Sequence, residues 1–255
     1  MAQDSSSRTR IEPLTPCIEC EIREHALFRP VEQTLLDWKQ RYRQGQYSIP
    51  PKTQIYTEGQ VLDEAYTLFR GWVALTKTLP TGKRQVLRIA LPGDFLGYQP
   101  NQLERPSTHS AVALTECVVC LFPRSSVETM VFEQPDLAKR LIEIYQGYMA
   151  YCQEHITSIG QRSAKQRIAE LFLDLLYRLR RRAQVQGNRM PLYLTQEDIG
   201  DAVGITSVHV SRVMRQLREA GLIRYKGHSL ALLDEAELAR VAGVNPERMA
   251  GARPD

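Results

Sequence analysis

From Tyr47 to Val127 the chain alternates short apolar and β-branched runs with turn residues. Gln54 to Thr57 lead into Glu58-Gly59-Gln60, Ala65 to Phe69 into Arg70-Gly71, and Trp72 to Thr78 into Pro80-Thr81-Gly82-Lys83. Gln85 to Ala90 then lead into Pro92-Gly93-Asp94, and His109 to Ala113 and Glu116 to Phe122 continue the series. Short strands at this spacing, punctuated by Gly and Pro, predict an antiparallel sandwich or small barrel.

After Pro135, a favourable first-turn helix residue, no proline occurs until Pro191. Apolar residues fall at Leu137, Leu141, Ile144 and Tyr148, followed by Cys152, Ile156 and Ile159. This heptad-like seam predicts a helix of about 25 residues, roughly 38 Å long. Packing of that seam on the β-domain is one reading. The absence of a proline break favours a two-stranded coiled coil, so the seven residues are expected to form a homodimer seam. Gly160 follows as a hinge, and Ala164 to Arg182 predict a second helix with Ile168, Leu171, Phe172, Leu175 and Leu179 on one face.

Thr195 with Asp198 three residues on resembles a capping box and starts a short helix that stops near Val203-Gly204-Ile205. A second helix opens at Thr206 or Ser207 and runs through Val210, Val213, Met214 and Leu217 to Ala220-Gly221. With Ala202 and Val210 inward and Arg212, Arg215 and Arg218 outward, the pair reads as a helix-turn-helix. Leu222 to Tyr225 and Ser229 to Leu233, turning at Lys226-Gly227, add a wing, and Asp234 to Ala242 a short helical tail.

Composition narrows the class. The 255 residues are 43% hydrophobic and 24% charged, as in a soluble protein with one large or two smaller cores. No run approaches the roughly 20 apolar residues of a membrane span, and the polar start from Met1 to Arg10 lacks the apolar core of a signal peptide, so the cytoplasm is expected. The net charge of +4 is unevenly placed: Gln161 to His228 holds 13 Lys and Arg against six Asp and Glu, which makes that segment +7 and the rest −3. A basic C-terminal module behind a mildly acidic body suits a sensor joined to a polyanion reader. The alternative is an ordinary solvated face.

These residues resemble the CRP/FNR family of bacterial transcription regulators over nearly the whole chain. Gly71, the Gly82 hairpin and Leu91-Pro92-Gly93-Asp94-Phe95-Leu96-Gly97 look like the family's effector-domain signposts, and Ile199 to Arg212 look like its helix-turn-helix signature. The resemblance implies an α+β protein: an N-terminal cyclic-nucleotide-binding-type β-roll, a long dimerisation helix and a C-terminal winged helix-turn-helix. The expected division is an N-terminal segment with a cysteine pair and short helix (1–46), β-roll (47–134), dimerisation helix (135–160), DNA-binding domain (161–245) and tail (246–255). The resemblance places Arg212 where a guanidinium reads a guanine, with Thr206, Ser207, Val208, His209, Ser211 and Arg215 also facing DNA. Many relatives carry a glutamate at the position of Val208. The implied partners are a double-stranded DNA operator, a second copy of the chain and, for an activator, RNA polymerase.

The five cysteines, Cys17, Cys20, Cys117, Cys120 and Cys152, argue against a secreted disulfide scaffold. Cys17, Cys20 and Cys120 match ligands of an oxygen-sensing branch that holds a [4Fe-4S] cluster, but Ala26 stands where that branch has a further cysteine, with His25 or Cys117 as substitutes. A cluster or other metal, a thiol switch, and buried inert thiols are the three readings. Cyclic AMP is not expected: Asp94 replaces the glutamate of nucleotide binders, and Arg105 is followed by Pro106, with Ser107 displaced by one. His25, His109 and His155 come with no second haem signal.

No G-x-x-x-x-G-K-[ST], G-x-S-x-G, H-E-x-x-H or G-x-G-x-x-G motif occurs, so an enzyme is not expected. The expectation is a homodimeric, sequence-specific regulator whose sensor responds to oxygen or redox state. The alternatives are an effector-independent or small-molecule-responsive regulator without a metal cluster, and a dimeric interaction module that does not bind DNA.

Overall fold

The computed structural model describes residues 8–32, 40–98 and 106–246. The polar start, Arg105 and the tail after residue 246 lie outside the described residues. The chain divides into two compact units, Met1–Tyr145 and Gln146–Asp255, and the division falls inside the long helix rather than at either of its ends.

The first unit is built on two antiparallel sheets. One is ordered β1 (Thr9–Arg10), β2 (Gly45–Ile49), β9 (Cys117–Pro123), β4 (Glu64–Arg70), β7 (Phe95–Leu96), and the other β3 (Gln54–Tyr56), β8 (Ser110–Ala113), β5 (Val73–Thr78), β6 (Arg84–Ala90). Strand alternation decides what lies in the core. On β9, Cys117, Val119 and Leu121 join Tyr66, Leu68, Val73 and Leu75 in the shared core. Val118, Cys120 and Phe122 therefore face the other way, yet they are also buried. Part of their cover comes from the N-terminal segment, where the Phe28 and Phe122 ring centroids lie 5.0 Å apart. Truncating a buried phenylalanine of this kind costs about 3–5 kcal/mol.

The N-terminal segment contains two single turns of 3₁₀ helix, Cys17–Glu19 and Arg23–His25. Residues 40–42 are helical. The rest of the short helix expected before residue 46 falls on positions outside the described residues. After β9 comes α1 (Arg124–Glu133), which the sequence pattern does not signal, with an ion pair at 3.0 Å between Arg124 and Glu128 one turn on. The long helix α2 (Pro135–Gln161) has 27 residues, about 40 Å at 1.5 Å each.

In the second unit α3 (Ala164–Arg181) starts on a capping box in which the Ser163 hydroxyl accepts the Gln166 amide while Gln166 takes up the Ser163 amide. Ile168, Leu171, Phe172, Leu175 and Leu179, read from the sequence as one face, are all buried, but so is every residue from Ile168 to Leu176, so burial runs round the helix rather than along one face. A three-stranded sheet ordered β10 (Arg189–Pro191), β12 (Ser229–Leu232), β11 (Ile223–Lys226) and the helices α4 (Gln196–Val203), α5 (Ser207–Glu219) and α6 (Glu235–Ala242) complete the unit. Among the described residues no helix is long and apolar enough to cross a membrane.

Candidate nucleic-acid interface

Local chemistry sets each end of the two-helix motif. Thr195 accepts the Asp198 amide at 3.0 Å, and Asp198 in return accepts the Thr195 amide at 3.0 Å, which fixes the start of α4. Gly204 ends α4 in the left-handed region at φ 70°, where a side chain would be strained. Thr206 then caps α5 by accepting the His209 amide at 3.3 Å.

The two faces of α5 are chemically separate. Val210, Val213 and Leu217 are buried, whereas Ser207, Val208, His209, Ser211, Arg212, Arg215 and Arg218 are exposed. Val208, Arg212 and Arg215 fall at spacings of four and three, so they share one side of the helix. A groove runs along that side, lined among others by Gln196, Ser207, Val208, Ser211, Arg212 and Arg215. Val208 is 71% exposed, which is unusual for valine unless something else covers it. The expected DNA-facing residues Thr206, Ser207, Val208, His209, Ser211, Arg212 and Arg215 thus lie together at the N-terminal end and outer face of one helix.

The wing supplies further cations. Strands β11 and β12 pair with Lys226 opposite Ser229, so the turn is Gly227-His228, one residue later than the sequence suggests. Arg224, Tyr225 and Lys226 are exposed on β11. Strand β10, on which Arg189 is exposed, joins the other edge of β12 and has no sequence signal of its own.

The seven residues expected in the dimer seam do not share one environment. Leu137, Leu141 and Ile144 are buried within the chain itself, Tyr148 and Ile159 are half-buried, and Cys152 and Ile156 are exposed. The first three are therefore corrected to intrachain core, since their own chain already covers them almost completely. The exposed apolar residues of α2 are Ile142, Met149 and Ile156, which recur every seven positions.

In the first unit the cysteines occupy opposite faces of β9. Cys117 points into the core between the sheets, its thiol 3.3 Å from the Trp72 carbonyl, and burial pushes it up to about 11. It cannot join Cys120 on one ligand set, because residues three apart on a strand face opposite ways. Cys120 is buried on the outer face with the Arg43 Nη1 3.8 Å from its sulfur, and the same nitrogen donates to the Thr15 carbonyl at 2.9 Å. Arg43 is only 7% exposed, and nothing in the sequence marks it. Cys17 is buried and Cys20 half-buried on the N-terminal segment, while Ala26, in the place of a fourth cysteine, is buried hydrocarbon. Among the described residues no group of three or more His, Cys, Asp or Glu is gathered to hold a metal ion. With a guanidinium on one of three sulfurs and a methyl in place of a fourth, the donor set does not fit a four-cysteine cluster.

Asp94 is buried and engaged, accepting the Leu91 amide at 3.0 Å and pairing with Arg88 Nη2 at 3.2 Å. The Ser107 hydroxyl donates to the His109 carbonyl at 2.7 Å. Both polar groups that stand nearest the nucleotide-binding pattern thus serve the roll's own backbone and side chains. His109 bonds Tyr56 through Nε2 at 2.9 Å, and burial holds its imidazole below the usual histidine range. The His25 carbonyl accepts from Arg140 at 3.5 Å.

Comparison with known proteins agrees with both halves. Residues 166–241 match the Crp-like helix-turn-helix domain family, and residues 46–134 the cyclic nucleotide-binding domain family. The chain is 33% identical to the nitrogen fixation regulation protein FixK of Rhizobium meliloti, over 68% of this chain and 75% of that one. It is 31% identical to the transcriptional activatory protein AadR of Rhodopseudomonas palustris, over 72% and 75%. Among solved structures it is similar to FixK2 from Bradyrhizobium japonicum, with a TM-score of 0.69 and 28% identity over 77% of this chain and 96% of that one. With these relatives, and with a recognition helix presented as described, the chain belongs to the CRP/FNR family of DNA-binding transcription regulators and not to a family of enzymes.

Proposed function

We propose that the protein is a cytoplasmic homodimer that reads a two-fold-symmetric operator, one half-site per winged helix. The observation that carries this reading is the outer face of α5, where Val208, Arg212 and Arg215 line one groove above a fully apolar inner face. A helix of this kind fits the major groove, with the half-sites of a dimer about one helical turn apart. Arg212 donates two hydrogen bonds to a guanine edge, and Val208 offers an apolar surface to a thymine methyl where a glutamate would accept from cytosine. Thr206, Ser207, His209, Ser211 and Arg215, with Arg224 and Lys226 of the wing, hold phosphates and neighbouring base edges. Counterion release by these cations makes binding fall steeply with salt.

The second copy covers α2. Ile142, Tyr145, Met149, Cys152, Ile156 and Ile159 follow a 3-4-3-4-3 spacing, the alternation of a two-stranded seam, and four of them are exposed. Because AadR is named a transcriptional activatory protein, we assign this chain to activation, with RNA polymerase as the further partner.

We also propose that the sensor unit works without an iron-sulfur cluster. The support is the donor set: Ala26 in a ligand position and Arg43 seated on Cys120. Selection of operators from a random duplex pool, followed by titration at several salt concentrations, tests the DNA reading. Protein purified without oxygen and assayed for colour, iron and sulfide tests the sensor reading. A brown protein bleached by air and dependent on Cys17, Cys20 and Cys120 would overturn it.

A further inference from the structure

One guanidinium in the second unit joins segments that come from three helices. Arg167, in the first turn of α3, donates through Nε to the Arg162 carbonyl at 2.7 Å and through Nη1 to the Val203 carbonyl at 2.8 Å. Arg162 lies in the link that leaves the long helix, and Val203 is the last residue of α4, the first helix of the DNA-reading motif. Both acceptors are carbonyls at or just past a helix C-terminus, where the last turn leaves oxygens without intrahelical partners and the helix dipole favours a cation. The guanidinium also lies beside the glycine that ends α4: a Cβ added at Gly204 would be in van der Waals contact with the Arg167 Nη1, at 3.5 Å.

A second bracket holds the same corner. The Arg162 side chain reaches back to Glu154 on α2 at 2.8 Å and across to the buried Glu170 on α3 at 3.1 Å, and Glu170 also accepts the Ser158 hydroxyl of α2. The end of α2 is thereby locked to α3, and α3 to α4. Within the unit Gln146–Asp255 the direction of α4, and of α5 packed after it, is fixed relative to the last turns of the long helix, which belong to that unit.

We propose that Arg167 is a positioning residue that sets which half-site spacing the regulator accepts. This rests on the dimeric DNA-binding reading above. A pair of readers held at one separation gains from the second half-site only when the DNA repeats at that separation, and a loosened pair tolerates other spacings while losing part of the gain at the right one. Both bonds of this bridge go to backbone carbonyls of its own chain and not to the outer face of α5, so its removal changes spacing preference and leaves half-site recognition intact.

The test uses full-length protein and an inverted-repeat duplex selected with the wild type, the same duplex with one base pair inserted between its halves, and a duplex keeping a single half. Arg167→Met is expected to bind the single half within about twofold of wild type, while the penalty for the insertion falls at least tenfold. Arg167→Lys, which keeps the charge but lacks the planar fork, recovers part of that penalty. An unchanged insertion penalty in folded Arg167→Met overturns the proposal. So does an equal loss on all three duplexes, and so does a variant that fails to fold, since each assigns Arg167 a different role. If wild-type protein selects no duplex at all, the DNA-binding reading is what fails.

Discussion

Gly200 sits so close to Ile205 that a Cβ on the glycine would lie 2.6 Å from the Ile205 carbonyl oxygen. The obstacle is backbone, so no side chain can rotate away from it. This contact sets how α4 folds over onto the start of α5. Gly200→Ala is expected to lower stability by about 1–3 kcal/mol, the range for forced overpacking, and to cut operator affinity by moving α5. Urea unfolding alongside titration of the operator checks both, and an alanine variant as stable as wild type would refute the close packing.

Arg212 is exposed and makes no contribution to the apolar face of α5. Arg212→Ala is therefore expected to leave the unfolding midpoint unchanged while weakening operator binding by about ten- to a hundredfold, the value of a two-bond guanine contact. Discrimination should relax at one base pair per half-site. Binding to a panel of single-base variants tests this, and uniform weakening across the panel would reassign Arg212 to a phosphate.

Cys152 is exposed on α2, between Met149 and Ile156 of the proposed seam. In a parallel two-stranded seam each such residue meets its own copy. Mild copper-catalysed oxidation should thus yield a chain-to-chain linked dimer on a non-reducing gel, and Cys152→Ser should abolish it. Cys117, a protonated thiol at neutral pH, should take up iodoacetamide only after unfolding. Cross-linking that survives Cys152→Ser would place the seam elsewhere.

His109 couples the first unit to pH. Burial lowers its folded-state value below that of the unfolded chain, about 6.5, so the unfolded state binds the proton more readily. Its contribution is present above about pH 6.5 and is lost as pH falls toward the depressed folded value. Thermal unfolding between pH 7.5 and 5 should show wild type losing more stability than His109→Gln; parallel curves would contradict the assignment.

The DNA-reading half was legible because its signals are local. Thr195 with Asp198, Gly204 and Thr206 each act on backbone within four residues, so the sequence carries them directly. The seam was less so, because periodicity identifies an apolar stripe but not what covers it. Helix α2 has two stripes: Leu137, Leu141 and Ile144 are buried by their own chain, and Ile142, Met149 and Ile156 are left outside. Strands β1, β7 and β10, of two or three residues, are too short to show a period and exist through their partners. Helix α1 buries only Val127 and Met130, too thin a stripe to read. Arg43 was invisible for a different reason: its partners Thr15 and Cys120 are 28 and 77 positions away, and only folding brings them together.

The exposed stripe of Ile142, Met149 and Ile156 also bears on dosage. A chain that must meet its own copy before it reads a two-fold site has an active concentration that rises with the square of its total, while dimers are scarce. Doubling the chain then raises operator occupancy by up to about fourfold. If the proposed seam is what joins two copies, three apolar side chains on one helix give the gene that encodes this protein a threshold, set by how tightly the copies hold.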